Sequence, residues 1–267
     1  DPNRGYRRYL NTRDFIDYFH LLNLAKQGDG MLLSMFPWVS SDTRRLHMGP
    51  MWDFNNGAFG NSPRSVLYFR SDRLWYPRLF EDPDYRIEHL DRWYELREGA
   101  LSEENMMAII DSQMESLPAG LVMQQGLSLS SWRNRVEGMK SFLRTRAEWI
   151  DEQFFGPPEF SPEGGVVKSG QSFTLRSSRG DREGAIYYTL DGTDPRLPDD
   201  SVSNLAFRYE GEISLEQSVQ VKARILYGGA WSALGERTFV TGRPADTSNL
   251  VISEIMYHPS APHSEAE

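Results

Sequence analysis

The sequence of 267 residues contains no cysteine, only 5 histidines, and fewer basic than acidic side chains. Without cysteine there is no disulfide framework, no thiolate metal site and no cysteine nucleophile. The histidines (His20, His47, His89, His258 and His263) show neither an HExxH nor an HxH spacing, which removes the usual zinc-hydrolase pattern. No GxSxG elbow is present for serine hydrolysis. No GxGxxG or GxxxxGK[ST] loop is present to cradle a nucleotide. The balance of 29 Lys+Arg against 38 Asp+Glu leaves a net charge of -9 and no basic footprint for nucleic acid. No run approaches the roughly 20 apolar residues of a membrane span. The opening DPNRGYRRYL has no apolar stretch behind its arginines, so it does not read as a signal peptide. The chain reads as an excised piece of a longer protein.

What is present is a foldable composition, 39% hydrophobic and 25% charged, long enough for about two domains. The expected fold class is α+β multidomain: a mainly helical region with a small hairpin at 1–155, then an all-β sandwich at 156–243, then a linker and tail at 244–267. In the first region Phe15, Tyr18, Phe19 and Leu22 form one apolar stripe of a helix over 12–26, with Thr12 as the expected N-cap. Strands are expected at 31–38 and 45–51, joined by a polar turn at Ser40–Thr43. Helices are expected at 84–98, 102–116 and 131–153, the second opened by Ser102. Past Gly156-Pro157-Pro158, strands are expected at 172–176, 185–190, 219–226 and 236–240, with turns at Gly164-Gly165, Asp191–Pro195 and Gly228-Gly229. This is the rhythm of an immunoglobulin-type sandwich.

Two carboxylates stand out. Asp29 follows the first helix in Gln27-Gly28-Asp29-Gly30, and Asp53 ends the second expected strand in Trp52-Asp53-Phe54-Asn55. Protein-kinase-type phosphotransferases use two Asp residues in such a relation. One sits after a helix and takes the acceptor hydroxyl's proton; the other sits after a strand and holds the metal on the nucleotide. Equally, Asp29 between two glycines reads as a turn residue, and Asp53 as a carboxylate capping backbone N–H groups. His20 and His47 read as structural, and Arg44, Arg45 and Arg64 as solvated charges.

The words YLNTRDFIDYFHLLNLAKQGDG and RLHMGPMWDFNNGAFGN within Tyr9–Asn61 resemble the core of the CotH kinase family, atypical kinases related to spore coat protein H. LWYPRLF at 74–80, RWYELR at 92–97 and FLRTRAEWID at 142–151 resemble the rest of that domain, so the likeness covers most of 6–155. It implies the carboxyl-terminal lobe of a kinase-like fold, transfer of phosphate from ATP with Mg²⁺ or Mn²⁺, and Ser/Thr of a protein as acceptor. Carried over by position, Asp29 would be the catalytic-loop Asp and Asp53 the metal-binding Asp. Ser34 stands five residues after Asp29, where the kinase pattern has Asn, and Asn55 stands where the family often has a second acid. Ser34 and Asn55 would then complete the nucleotide-metal site with Asp53, with less charge than usual. The amino-terminal lobe with its phosphate-binding Lys is not in this sequence, so the fragment is expected to be inactive by itself.

In the second region, IYYTLDGTDPR at 186–196 with VKAR at 221–224 resembles the immunoglobulin-like module at the carboxyl end of chitobiases and hexosaminidases, an accessory domain. Asp191 and Asp194 read as hairpin turn chemistry ahead of a calcium loop. Tyr187, Tyr188 and Trp231 read as core ahead of a sugar platform. LVISEIMYHP at 250–259 resembles the first strand of a lamin-tail-type domain. Such a tandem is similar to large exported bacterial proteins, which implies a secreted or cell-surface location. The alternative function is a pseudokinase acting as a surface scaffold or adhesion protein, with the sandwich binding a cell-surface protein or glycan.

Overall fold

The computed structural model describes residues 5–55, 57–60, 62–68, 71–177 and 184–242. A 3-10 turn at Gly5–Arg8 leads into helix α1, Thr12–Ala25. Its N-cap is Asn11 rather than the expected Thr12: the Asn11 side chain accepts the Asp14 N–H at 3.4 Å, and Asn caps better than Thr. Phe15, Ile16, Phe19 and Leu22 of α1 are all at most 2% exposed. The helix stops at Lys26, whose backbone turns left-handed (φ 52°) and whose N–H closes the final turn.

The hairpin forms, but its strands are much shorter than expected: β1 is Trp38–Val39 and β2 is Leu46–His47, paired antiparallel. Residues 31–34 are not strand because the Asp29 carbonyl accepts the N–H groups of Leu32, Leu33 and Ser34 at 2.8, 2.9 and 3.1 Å. That local turn consumes the donors a ladder would need.

Helices α2 (Tyr76–Leu79), α3 (Pro83–Glu98), α4 (Glu103–Ser116), α5 (Ala119–Gln124) and α6 (Leu129–Gln153) follow. Ser102 caps α4 as expected, accepting the Asn105 N–H at 3.2 Å. The helices bury two apolar clusters. One joins Phe15, Phe19 and Leu22 to Tyr76 and Tyr85; the other joins Trp93 and Leu96 to Leu143, Ala147, Ile150 and Phe154.

The second half is a two-sheet sandwich. Strands β3 (Glu159–Ser161), β4 (Gly165–Val167), β5 (Gln171–Arg176), β6 (Ala185–Thr189), β7 (Phe207–Arg208), β8 (Ile213–Leu215), β9 (Val219–Tyr227), β10 (Ala230–Trp231) and β11 (Gly235–Thr241) are laid out in two orders. One sheet runs β4-β11-β9-β6-β7, with β10 against β9; the other runs β3-β5-β8. All pairings are antiparallel except β4 with β11. Phe173, Leu175 and Leu215 of the smaller sheet meet Val221, Ala223, Ile225 and Phe239 of the larger. Phe155, from the segment after α6, packs into this same core, and its carbonyl accepts the Ala233 N–H at 2.8 Å. The tail expected at 244–267, with the lamin-tail-like words, lies outside the described residues.

Candidate functional site

Ser34 and Gln27 link the loop that carries Asp29, at the carboxyl end of α1, to the segment that carries Asp53. Gly28 and Asp29 are half-buried in the loop that leaves the helix, and Asp29 builds the turn to Ser34 through its own carbonyl. Ser34, 5% exposed, donates its hydroxyl to Asp53 Oδ2 at 3.1 Å. One residue therefore touches the main chain of Asp29 and the carboxylate of Asp53. Asp53 does not end a strand, since β2 stops at His47. It sits in an irregular segment with φ 60°, a left-handed conformation that Asp tolerates better than most residues.

Gln27 was missed as a site residue. It is fully buried, and its Nε2 donates to the Asp53 carbonyl at 2.7 Å while its Oε1 accepts the Gly30 N–H. The same side chain thus holds both loops. Gly30 must lack a side chain here: a Cβ would lie 2.5 Å from Leu22 Cδ2 and 2.8 Å from Gln27 Oε1. Tyr18 of α1 completes the support, its hydroxyl donating to the Gly30 carbonyl at 2.5 Å, and burial pushes that phenol up to about 12.

Arg146 of α6 was also missed. It is 0% exposed and donates to the Asn23 carbonyl and side-chain oxygen and to the carbonyls of Pro63, Ser65 and Val66, at 2.8–3.2 Å. Lys26 joins it on the same loop, its Nζ donating to the Ser62 carbonyl and Ser65 Oγ, both at 2.8 Å. Two buried cations thus pin the loop following Asp53 to the end of α1. A sequence signal existed: Arg146 falls on the apolar stripe of α6 between Phe142 or Leu143 and Ile150, where a charge requires buried acceptors.

Asn55 is exposed in the turn after Asp53. Around the pair, Leu33, Phe36, Trp38 and Trp52 are about half or more exposed, and the Phe36 and Trp52 rings meet edge to face at 6.3 Å. Trp38 stacks on His47 at 4.4 Å, and His47 Nδ1 contacts Asp14 Oδ2 at 2.5 Å, so His47 is a hairpin support. Arg64 is paired with Glu152. Trp231 is 4% exposed and donates to the Asp200 carbonyl, which removes it from any sugar platform.

A divalent ion at Asp53 would find one carboxylate and one hydroxyl. That donor set suits Mg²⁺ or Mn²⁺, which take one or two protein carboxylates and leave the remaining positions to phosphates and water. It does not make an all-protein cage, and among the described residues no three His, Asp or Glu groups converge. Among the described residues, no helix is long and apolar enough to cross a membrane.

Comparison with known proteins agrees with the likeness in both halves. Residues 162–233 match the chitobiase/beta-hexosaminidase C-terminal domain, and residues 1–150 match the family described as CotH kinase protein. Neither match reaches the lamin-tail-like words. No curated protein and no solved structure matches the chain. With more than half of its length, residues 1–150, matched by that one family model, this chain belongs to the CotH kinase family.

Proposed function

We propose that the helical half carries the acid and metal side of a phosphoryl-transfer site that modifies Ser or Thr of a protein. The observation that supports this reading best is the convergence of Asp29 and Asp53 through Ser34 and Gln27. When bound, ATP with Mg²⁺ or Mn²⁺ supplies the phosphoryl group and the counter-charge for its transfer. Asp53 would hold the ion, oriented by the Ser34 hydroxyl at one carboxylate oxygen and by Gln27 at its carbonyl, with Asn55 the next neutral donor. Asp29 would accept the acceptor hydroxyl's proton as the new O–P bond forms and the bond to ADP breaks. The tandem of matched regions favours an exported or cell-surface protein, and a surface protein as its acceptor.

Calorimetric titration of the intact protein with ATP and Mg²⁺ or Mn²⁺ tests the metal role: binding is expected, and Asp53→Ala should abolish it. Asp29→Asn should retain binding and lower transfer at least a hundredfold. Undiminished phosphorylation by Asp29→Asn overturns the reading. The neutral Ser34 and Asn55 favour a second reading, a pseudokinase scaffold. Absence of nucleotide binding by the unaltered protein would assign it.

A further inference from the structure

Helix α3 carries three acids at two-turn spacing: Asp84, Asp91 and Glu98. Residues seven apart on a helix return to one face, with a drift of only about 20°. Each acid meets an arginine of the sandwich. Arg196 Nη2 donates to Asp84 Oδ1 at 2.7 Å, Arg224 reaches both oxygens of Asp91 at 2.8 and 2.7 Å, and Arg237 Nη2 donates to Glu98 Oε1 at 2.8 Å.

The middle pair is sealed. Arg224 is 1% exposed although it sits on β9 facing away from the sandwich core, between the inward-facing Ala223 and Ile225. All five of its N–H donors are used: two on Asp91, two on Asp194 at 2.8 and 2.6 Å, and one on the Ser232 carbonyl at 2.9 Å. Asp91 Oδ1 also accepts the Leu234 N–H at 2.8 Å. Asp194 belongs to the Asp-Gly-Thr-Asp-Pro turn, so this turn serves to orient an arginine at α3. One position on from Asp91, about 100° round the helix, Arg92 of α3 forms a bidentate pair with Asp17 of α1, at 2.6 and 2.9 Å. Helix α3 is therefore held between the sandwich and the helix that delivers Asp29.

We propose that the β-sandwich is an obligate brace of the helical half, whose recognition partner is the acidic stripe of α3 rather than a glycan or a second protein at that arginine face. A tethered accessory module would leave such arginines solvated on its surface. Burying one with every donor satisfied by preset acceptors requires a fixed register between the two halves, because a bidentate pair tolerates little displacement.

The test is calorimetric unfolding and amide hydrogen exchange on the intact protein, so it is independent of phosphoryl transfer. The unaltered chain should unfold in one transition spanning both halves. Arg224→Met should split or broaden that transition and speed exchange across residues 84–98 by at least tenfold. Arg176→Met, which removes an exposed pair with Glu159 inside the sandwich, should leave both unchanged. If Arg224→Met gives no folded protein, Asp91→Asn carries the exchange measurement, with the same direction expected. Two independent transitions in the unaltered chain, or unchanged exchange of α3 in the Arg224 or Asp91 variant, overturn the proposal.

Discussion

The Ser34 hydroxyl donates to Asp53 Oδ2 at 3.1 Å across a separation of 19 residues, and the same residue's N–H is held by the Asp29 carbonyl. Where the kinase pattern has an amide ligand, this chain has a short hydroxyl that reaches the partner acid. Ser34 therefore orients the Asp53 carboxylate within the folded chain.

Ser34→Ala should leave the fold intact, because Asp53 is half-buried and water can replace the lost donor. A hydrogen bond of this kind is worth about 1 kcal/mol, so the melting temperature should fall by roughly 2–4 °C. The affinity for Mn²⁺ with ATP should fall about threefold to tenfold, since the carboxylate must then be ordered on binding. Calorimetric titration beside a melting curve checks both. An affinity equal to that of the unaltered protein would remove Ser34 from the site.

Arg146→Met should be far more damaging. It takes the guanidinium away from the Pro63, Ser65 and Val66 carbonyls, and one of its donors from the Asn23 carbonyl, which still accepts the Lys26 N–H. Unsatisfied buried acceptors cost about 1–3 kcal/mol each before relaxation. A loss of about 4 kcal/mol in urea unfolding is expected for Met, and a smaller loss for Lys, whose ammonium can reach fewer of the four carbonyls. Equal losses for the two variants would mean that packing, not the fork of donors, is what Arg146 contributes.

Acid should weaken the fold in a defined window. His20 and His89 stack at 4.1 Å, both buried, with His20 Nε2 donating to the His89 carbonyl at 2.9 Å and, among the described residues, no partner for His20 Nδ1 or His89 Nε2. Burial lowers His20 from 6.5 to about 4, against smaller upward pulls from that hydrogen bond and from Asp17; burial and then His20 also push His89 well below its ordinary value. Between those values the unfolded chain binds protons that the folded chain refuses, so stability rises with pH through the window and is lost on acidification. For His20 alone the loss from pH 7 to pH 4 is about 3 kcal/mol. Asp194, which burial would raise, is held net low by Arg224, so its contribution is lost only below the ordinary carboxylate range. Urea unfolding at pH 7, 6, 5 and 4 checks the window, and His89→Phe should flatten the slope. No difference in slope between that variant and the unaltered protein would clear the pair of any role.

The long helices α1, α3, α4 and α6 were legible because their caps and apolar spacing lie within the elements themselves. The β9 strand was legible because Val221, Ala223 and Ile225 alternate cleanly. The supposed strand at 31–38 was misread because its apolar residues gave no sign that the Asp29 carbonyl would gather three N–H groups. Asp29 and Asp53 could be named from chain context, but Gln27 could not: its role depends on a carbonyl 26 residues away. The acidic stripe of α3 drew no reading from the sequence, because the arginines that cover it lie 112 to 139 residues later.

The pin formed by Arg146 also bears on the order in which the molecule assembles. Its contacts with Asn23 span 123 positions, and those with the loop at 63–66 span 80 to 83. A chain made from its amino terminus exposes Asp29 and Asp53 long before residue 146 exists. Until α6 arrives, the Pro63, Ser65 and Val66 carbonyls lack the guanidinium they accept from in the folded chain, and closing so long a loop is slow. Asp29 and Asp53 would thus be made well before α6 and set only once it has packed, which ties the ordering of that region to the completion of the helical half.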